Sequence, residues 1–116
     1  MSVSERYLKN QLDQAKYYYE NRNTDVTFKD KSIEIIKKLY EPFSINLVQA
    51  LSTTSTDGIV ELAETAFICG LPDIAKNLVN IYFEMDSAQG VNKNNCYIRA
   101  LIVKAQVNAE KVKNEI

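Results

Sequence analysis

The sequence contains no histidine and no tryptophan. Histidine is the side chain that most often serves as a general base or a metal ligand near neutral pH, so serine and cysteine lack their usual catalytic partner here. The sequence also has no glycine-rich phosphate loop, no CxxC pair and no HExxH pattern. We therefore expect no catalytic residue, no cofactor and no metal site, and a protein that is not an enzyme.

Glycine and proline are also scarce, with three and two residues in a chain of 116. An all-β fold usually needs more of both at its turns, so the composition argues against one. No apolar run approaches the length that spans a bilayer, and the first residues lack the basic and apolar segments of a secretory leader. The sequence thus predicts one domain, in the cytoplasm.

Basic and acidic residues are interspersed and nearly balanced, which gives a net charge of −1. A nucleic-acid-binding protein needs a basic face to neutralise phosphates, and none is evident. We expect neither nucleic acid nor a membrane as a partner. Cys69 and Cys96 lie far apart in the sequence, on or near apolar stripes. This placement favours small buried side chains over a disulfide or metal ligands.

Residues 57–85 are typical of two amphipathic helices joined by a turn of one or two residues. Thr56 or Asp57 can cap the first helix. Gly70 can adopt the left-handed conformation that ends a helix, and Pro72 suits the first turn of the next helix. Because the turn is so short, the two apolar faces must pack antiparallel against each other.

Small and bulky residues occupy the facing sides of this hairpin at the offsets of a tetratricopeptide repeat. Small side chains there let two helix backbones approach closely. An ordinary helical hairpin in a bundle would share part of the pattern, so a short helical repeat and a bundle both remain open. The predicted repeat core consists of Leu62, Ala63, Ala66, Gly70, Ala75, Val79 and Tyr82.

Apolar periodicity along the whole chain predicts an all-α domain of antiparallel helical hairpins. Pro42 is expected to end the second helix, because the residue before a proline is pushed out of the helical region. Ser44 can then cap the third helix. A long loop is expected over 86–95, which is rich in asparagine. The predicted helices span 4–21, 29–41, 44–51, 57–69, 72–85 and 95–115.

The last predicted helix carries the most regular apolar stripe of the chain, at alternating steps of three and four residues. In a helical repeat each unit buries its face against the next one, and here no further helix is predicted to cover this stripe. We expect its end to contact a downstream segment or another protein. The residues of this candidate interface are Ala105, Ala109, Val112 and Ile116, which follow Ile98, Leu101 and Ile102.

Three consecutive tyrosines, Tyr17, Tyr18 and Tyr19, form a second candidate interface on the first helix. Consecutive residues point in three directions on a helix, so at least one ring is expected at a rim with its hydroxyl in water. Packing is the ordinary role of such rings, and a docking surface is the alternative.

Two segments, ELAETAFICGLPDIAKNLVNIYFEM and YIRALIVKAQ, resemble a family of ciliary proteins. The order of features is an alanine-containing helix, a glycine turn, a helix that ends in an aromatic pair, a loop, and an arginine-alanine helix that leads to Ala-Gln. This order is similar to the N-terminal region of the tetratricopeptide-rich cilia- and flagella-associated proteins, in the forty-sixth family of that series. The likeness covers about residues 33–108. Its matching residues are Ala63, Ala66, Gly70, Tyr82, Phe83, Arg99, Ala100, Ala105 and Gln106.

The resemblance implies a non-catalytic scaffold subunit of the central apparatus of motile cilia, located in the axoneme. Such a subunit holds neighbouring projection proteins together on a central-pair microtubule. Proteins of this family are very long, so the resemblance also implies that the chain is a fragment or a short relative. The alternative function is a soluble adaptor that binds a peptide or a partner helix in its groove.

Overall fold

Six α-helices and no strand make up the described part of the chain, residues 3–89 and 95–115 of a computed structural model. Side chains are described for residues 5–85 and 95–110. The all-α fold predicted from the sequence is thus confirmed. The helices are α1 (Val3–Glu20), α2 (Phe28–Ile45), α3 (Leu47–Thr53), α4 (Thr56–Ile68), α5 (Pro72–Gln89) and α6 (Asn95–Glu115).

The helices form a slab of two layers. Helices α1, α4 and α6 lie side by side, with α4 in contact with both of the others. Helix α2 packs on α1, and α5 packs on α4 and α6. The slab measures 45 × 42 × 26 Å, and the smallest extent is about two helix diameters. This arrangement of successive hairpins is consistent with both a short helical repeat and a bundle.

The α4–α5 hairpin closes through a tight turn at Gly70. Gly70 has φ of +81°, a left-handed conformation that residues with a Cβ rarely adopt. The Leu71 N–H donates to the Ala66 carbonyl at 2.8 Å, and the Gly70 N–H donates to the Phe67 carbonyl at 3.1 Å. These two bonds define a Schellman motif, which satisfies carbonyls at the end of α4. Helix α5 then begins directly at Pro72.

The core lies between the two layers, and alanines allow its helices to approach closely. The alanines without exposed surface are Ala15, Ala63, Ala66, Ala75 and Ala100. Gly58 serves the same purpose in α4, because a Cβ there would lie 2.9 Å from Cδ2 of Leu8 in α1. Six residues of the predicted repeat core are buried, and the seventh is the turn glycine. The buried six are Leu62, Ala63, Ala66, Ala75, Val79 and Tyr82.

The prediction that Pro42 ends the second helix is wrong. Helix α2 continues through Pro42 to Ile45, although a proline removes one backbone donor from the helix. Phe43 is buried in the core and holds the last turn in place. The Asn46 N–H then donates to the Pro42 carbonyl at 2.9 Å. Tertiary packing has therefore overridden the local preference of the proline.

Three other local predictions also differ from the structure. Asn46, not Ser44, caps α3, because its side-chain oxygen accepts from the Gln49 N–H at 3.2 Å. Ser55 caps α4 by accepting from the Gly58 N–H at 3.0 Å, in place of Thr56 or Asp57. Helix α5 runs to Gln89, so 86–89 are helical rather than part of a loop. This segment contains no glycine or proline that would stop the helix.

Candidate protein interface

Helix α6 carries apolar residues on two opposite faces. Its inner face packs against α4 and α5 through Ala100, Val103 and Val107, which are all buried. The other face points away from the protein. We call its apolar residues the outer stripe: Ile98, Leu101, Ile102, Ala105 and Ala109, each of which is exposed.

The outer stripe exposes large aliphatic side chains that a folded domain normally shields. Ile98 is 50% exposed, Leu101 is 42% exposed and Ile102 is 52% exposed. Ile98, Ile102, Ala105 and Ala109 follow one another at steps of four, three and four residues, as the seam of a coiled coil does. A helix that is apolar on two sides is typical of one packed between two neighbours. Among the described residues, only the inner face of α6 has neighbours.

Two of the four predicted interface residues, Ala105 and Ala109, lie on the outer stripe. Val112 belongs to α6, but its side chain is outside the described side chains, and Ile116 is outside the described residues. The inner apolar face of α6 was not predicted from the sequence. The three- and four-residue spacing of Ala100, Val103 and Val107 indicates this face, but the outer stripe is longer and more regular.

Arg99 ties α6 to α4. Its guanidinium donates to Asp57 Oδ1 at 2.9 Å and from Nε to both carboxylate oxygens of Glu64 at 3.2 Å. Arg99 Nη2 also pairs with Glu64 Oε1. The Cys96 thiol donates to Asp57 Oδ1 at 3.2 Å. Glu64 is half-buried and paired with Arg99, and Glu61 is half-buried near Asp57 in the same network.

The pKa shifts in this network have opposite signs. Burial raises the pKa of the Asp57 carboxyl, but the hydrogen bond from Cys96 and the charge of Arg99 outweigh it and leave that pKa below its ordinary value. Burial and the neighbouring Asp57 raise the pKa of the Glu61 carboxyl. Burial and the bond to Asp57 raise the pKa of the Cys96 thiol to about 11. Cys96 is therefore a neutral hydrogen-bond donor near neutral pH.

Aromatic contacts hold the other edge of α6 to α5. The ring centroids of Phe83 and Tyr97 lie 5.8 Å apart in an edge-to-face arrangement. The Lys104 ammonium lies 5.4 Å from the Phe83 ring centroid, within the range of a cation–π contact. Together with Arg99, these contacts fix the rotation of α6 about its axis. They therefore determine which of its two apolar faces points outward.

The three predicted interface tyrosines take part in packing at the α1–α2 corner. Tyr18 and Phe28 have ring centroids 4.9 Å apart, and the Lys31 ammonium lies 5.5 Å from the Tyr18 centroid. The Arg22 guanidinium lies 4.1 Å over the ring of Tyr19. Tyr17 is 57% exposed. Of the three rings, Tyr17 is the one most available to a partner.

Several hollows lie away from the outer stripe on the described surface, and one of about 530 Å³ is lined by α2 and α3 residues such as Pro42 and Gln49. Two others differ in polarity. One, of about 510 Å³, has an apolar floor that includes Leu8, Phe43 and Leu62. The other, of about 300 Å³, lies between α1, α4 and α6 and is lined mainly by charged residues, among them Arg99 and Glu64. Lys16 pairs with Asp13 at 3.8 Å on the α1 side of this second hollow.

Within the described residues, no cluster of histidine, cysteine or acidic side chains is suited to a metal ion. Cys69 is buried and Cys96 is half-buried, and both are free thiols. No helix of the described part of the chain is long and apolar enough to cross a membrane. Comparisons with protein-family models, curated proteins and solved structures find no match for this chain.

Proposed function

We propose that this chain is a non-catalytic structural module that holds neighbouring proteins in a larger assembly through the outer stripe of α6. The observation that carries the proposal is the pair of opposite apolar faces on α6, of which only one is covered. Exposed aliphatic side chains in a row are unfavourable in water and mark surfaces that become buried in an assembly. A scaffold subunit requires such a surface.

We further propose that the assembly is the central apparatus of motile cilia. The support for this step is the order of features that the chain shares with the tetratricopeptide-rich ciliary family. Those features are the Gly70 turn, the Tyr82–Phe83 pair and the Arg99–Ala100 helix. They fall in the α4–α5 hairpin and in α6, which are the elements that form and support the outer stripe.

The test is to tag the chain at Met1 in its own cells and to follow its retention in demembranated axonemes. We expect retention in normal cilia and loss from cilia that lack the central pair. Ile102→Glu should abolish retention, because it places a charge in the stripe. Asn10→Glu adds the same charge at an exposed position of α1, away from the stripe, and should retain normal binding. A freely diffusing pool with no axonemal fraction would contradict the ciliary proposal.

A second candidate function is an adaptor that binds a peptide in a groove. The observation that favours it is the hollow of about 510 Å³, whose apolar floor includes Leu8 and Phe43 and whose rim includes Lys38. Ligand sites typically have such an apolar floor with a few polar groups at the edge. An adaptor would bind a short peptide on its own and exchange with solution. A scaffold subunit would stay in the assembly at fixed stoichiometry.

A further inference from the structure

We propose that the outer stripe binds one amphipathic α-helix of a partner protein, with small and aliphatic residues along its contact face and acidic residues along its edge. This inference rests on the proposed function, and it specifies the kind of partner that the outer stripe binds. It is supported by the repetition in the fold, by the width of the stripe and by the charges at the edges of the stripe.

The fold repeats one helix-on-helix contact. Helix α2 packs on α1, which it follows in the chain, and α5 packs on α4 in the same way. Helix α6 also packs on α5, but no later helix of the described residues packs on α6. The α4–α5 contact is made with fully buried alanines and aliphatic residues, such as Ala66, Ala75 and Leu78. The outer stripe offers the same mixture in Ala105, Ala109 and Ile102. It therefore continues a helix-on-helix interface that the fold already uses twice.

The stripe is narrow. Ile98, Ile102 and the two alanines run along a single line of the helix, and Leu101 lies at one side of it, because consecutive residues are about 100° apart around a helix. A standard interface between two folded proteins buries about 800 Å² on each partner, which a line of this width cannot supply. One helix laid along another is the recognition mode that a narrow apolar line with three- and four-residue spacing fits. A second copy would bring the same basic Lys104 edge to the contact, and its described edge residues would not supply the complementary acidic edge.

The residues at the edges of the stripe also determine which charge the partner should carry. Lys104 is exposed at one edge, and Gln106 and Asn108 supply uncharged groups nearby. The charge of Arg99 is already neutralised by Asp57 and Glu64. Glu110 follows Val107 by three residues and so lies toward the inner face. The described edge residues thus carry a positive charge, which favours an acidic edge on the partner helix.

The experiment uses the full chain and a fluorescein-labelled peptide of about 18 residues, long enough for five helical turns. Leucine and alanine occupy its contact line at three- and four-residue spacing, and glutamate occupies its edges. Binding is measured by fluorescence anisotropy. We expect saturable binding that Ile102→Glu weakens by about tenfold or more, because a charge replaces an aliphatic anchor. Asn10→Glu adds the same charge at an exposed position of α1, away from the stripe, and should change the affinity by less than about threefold.

A charge exchange sharpens the test. Lys104→Glu should weaken binding of the glutamate-edged peptide and strengthen binding of a lysine-edged peptide with the same contact line. A peptide of the same composition with its apolar spacing scrambled should not bind. Lys104→Gln removes the contact with Phe83 without adding a negative charge, and should not strengthen binding of the lysine-edged peptide. Circular dichroism should show unchanged helix content in Ile102→Glu and Asn10→Glu, since both side chains are exposed.

Three results would overturn the inference. The first is no binding of the glutamate-edged peptide, and the second is binding that Ile102→Glu leaves unchanged. The third is a dimer of the free chain in sedimentation equilibrium that Ile102→Glu dissociates, because the occupant would then be a second copy. If Ile102→Glu abolishes axonemal retention while no peptide binds, the proposed function stands and the helical partner fails.

Discussion

Helices α4 and α6 lie side by side in the same layer and both carry apolar residues on more than one face, yet their surroundings differ. Helix α4 contacts α1, α5 and α6, and Ile59 and Leu62 in its first two turns are almost fully buried, whereas Ile68 at its end is exposed. Among the described residues, α6 has substantial packing only with α4 and α5, and Ile102 in the middle of the helix is half exposed. The same aliphatic side chains are therefore core within α4 and surface within α6. Position in the helical array decides between the two roles.

The largest expected contrast comes from the same substitution in each helix. Ile59→Ala should lower the free energy of unfolding by about 2–5 kcal/mol, because it removes buried methyl groups and leaves a cavity. Ile102→Ala should change it by about 0.5 kcal/mol or less, because the side chain is half in water and alanine favours a helix. Urea denaturation followed by circular dichroism measures both values. Similar losses in the two variants would show that the outer stripe is covered in the isolated chain.

A smaller effect is expected from the contact that joins the two helices. Arg99→Ala removes the guanidinium that binds Asp57 and Glu64, and should lower the free energy of unfolding by about 1–2 kcal/mol, since the network is partly solvated. Limited trypsin digestion should then cleave faster after Lys104 in α6, while cleavage after Lys76 in α5 stays at the wild-type rate. Arg99→Lys keeps the charge but loses the planar guanidinium. Its free energy of unfolding should therefore lie between those of the wild type and Arg99→Ala. Equal acceleration at both lysines would indicate global rather than local loosening.

These comparisons also show which features could be predicted from the sequence. The α4–α5 hairpin was predictable because Gly70 and Pro72 act locally, through their own backbone preferences. The continuation of α2 past Pro42 was not, because it depends on the burial of Phe43 by residues distant in the chain. The pairing of Arg99 with Glu64 joins residues 35 positions apart and leaves no spacing signal. The apolar spacing of α6 predicted a stripe, but could not decide which of its two faces would be outward.

The smallest expected effect concerns Glu61, next to the α4–α6 contact. The folded-state pKa of Glu61 is raised, so its contribution to stability is present in full below its ordinary pKa and is lost as pH rises through the folded pKa. At pH 7 the ionised carboxylate is therefore slightly destabilising. Glu61→Gln resembles the protonated form and should stabilise the protein by about 0.5 kcal/mol or less at pH 7.

The pH dependence of this gain supplies the control. The gain from Glu61→Gln should vanish below about pH 4, where the wild-type carboxyl is protonated in both the folded and the unfolded state. Asp57 acts with the opposite sign, because its folded-state pKa is lowered and its contribution is lost as pH falls through that pKa. Urea denaturation at pH 7 and pH 4 separates the contribution of Glu61 to the free energy of unfolding from that of Asp57. A loss of stability in Glu61→Gln at pH 7 would contradict the assigned network.

The central claim, that the outer stripe of α6 is the surface covered in the assembly, is tested most directly by amide hydrogen exchange. Exchange is compared between the isolated chain and the chain bound in axonemes, at peptide resolution. We predict that protection over 98–109 rises strongly on assembly, while protection over α4 stays the same because that helix is already enclosed. Unchanged exchange over 98–109, with new protection around Tyr17 or in α3, would contradict the claim and move the interface to the opposite end of the slab.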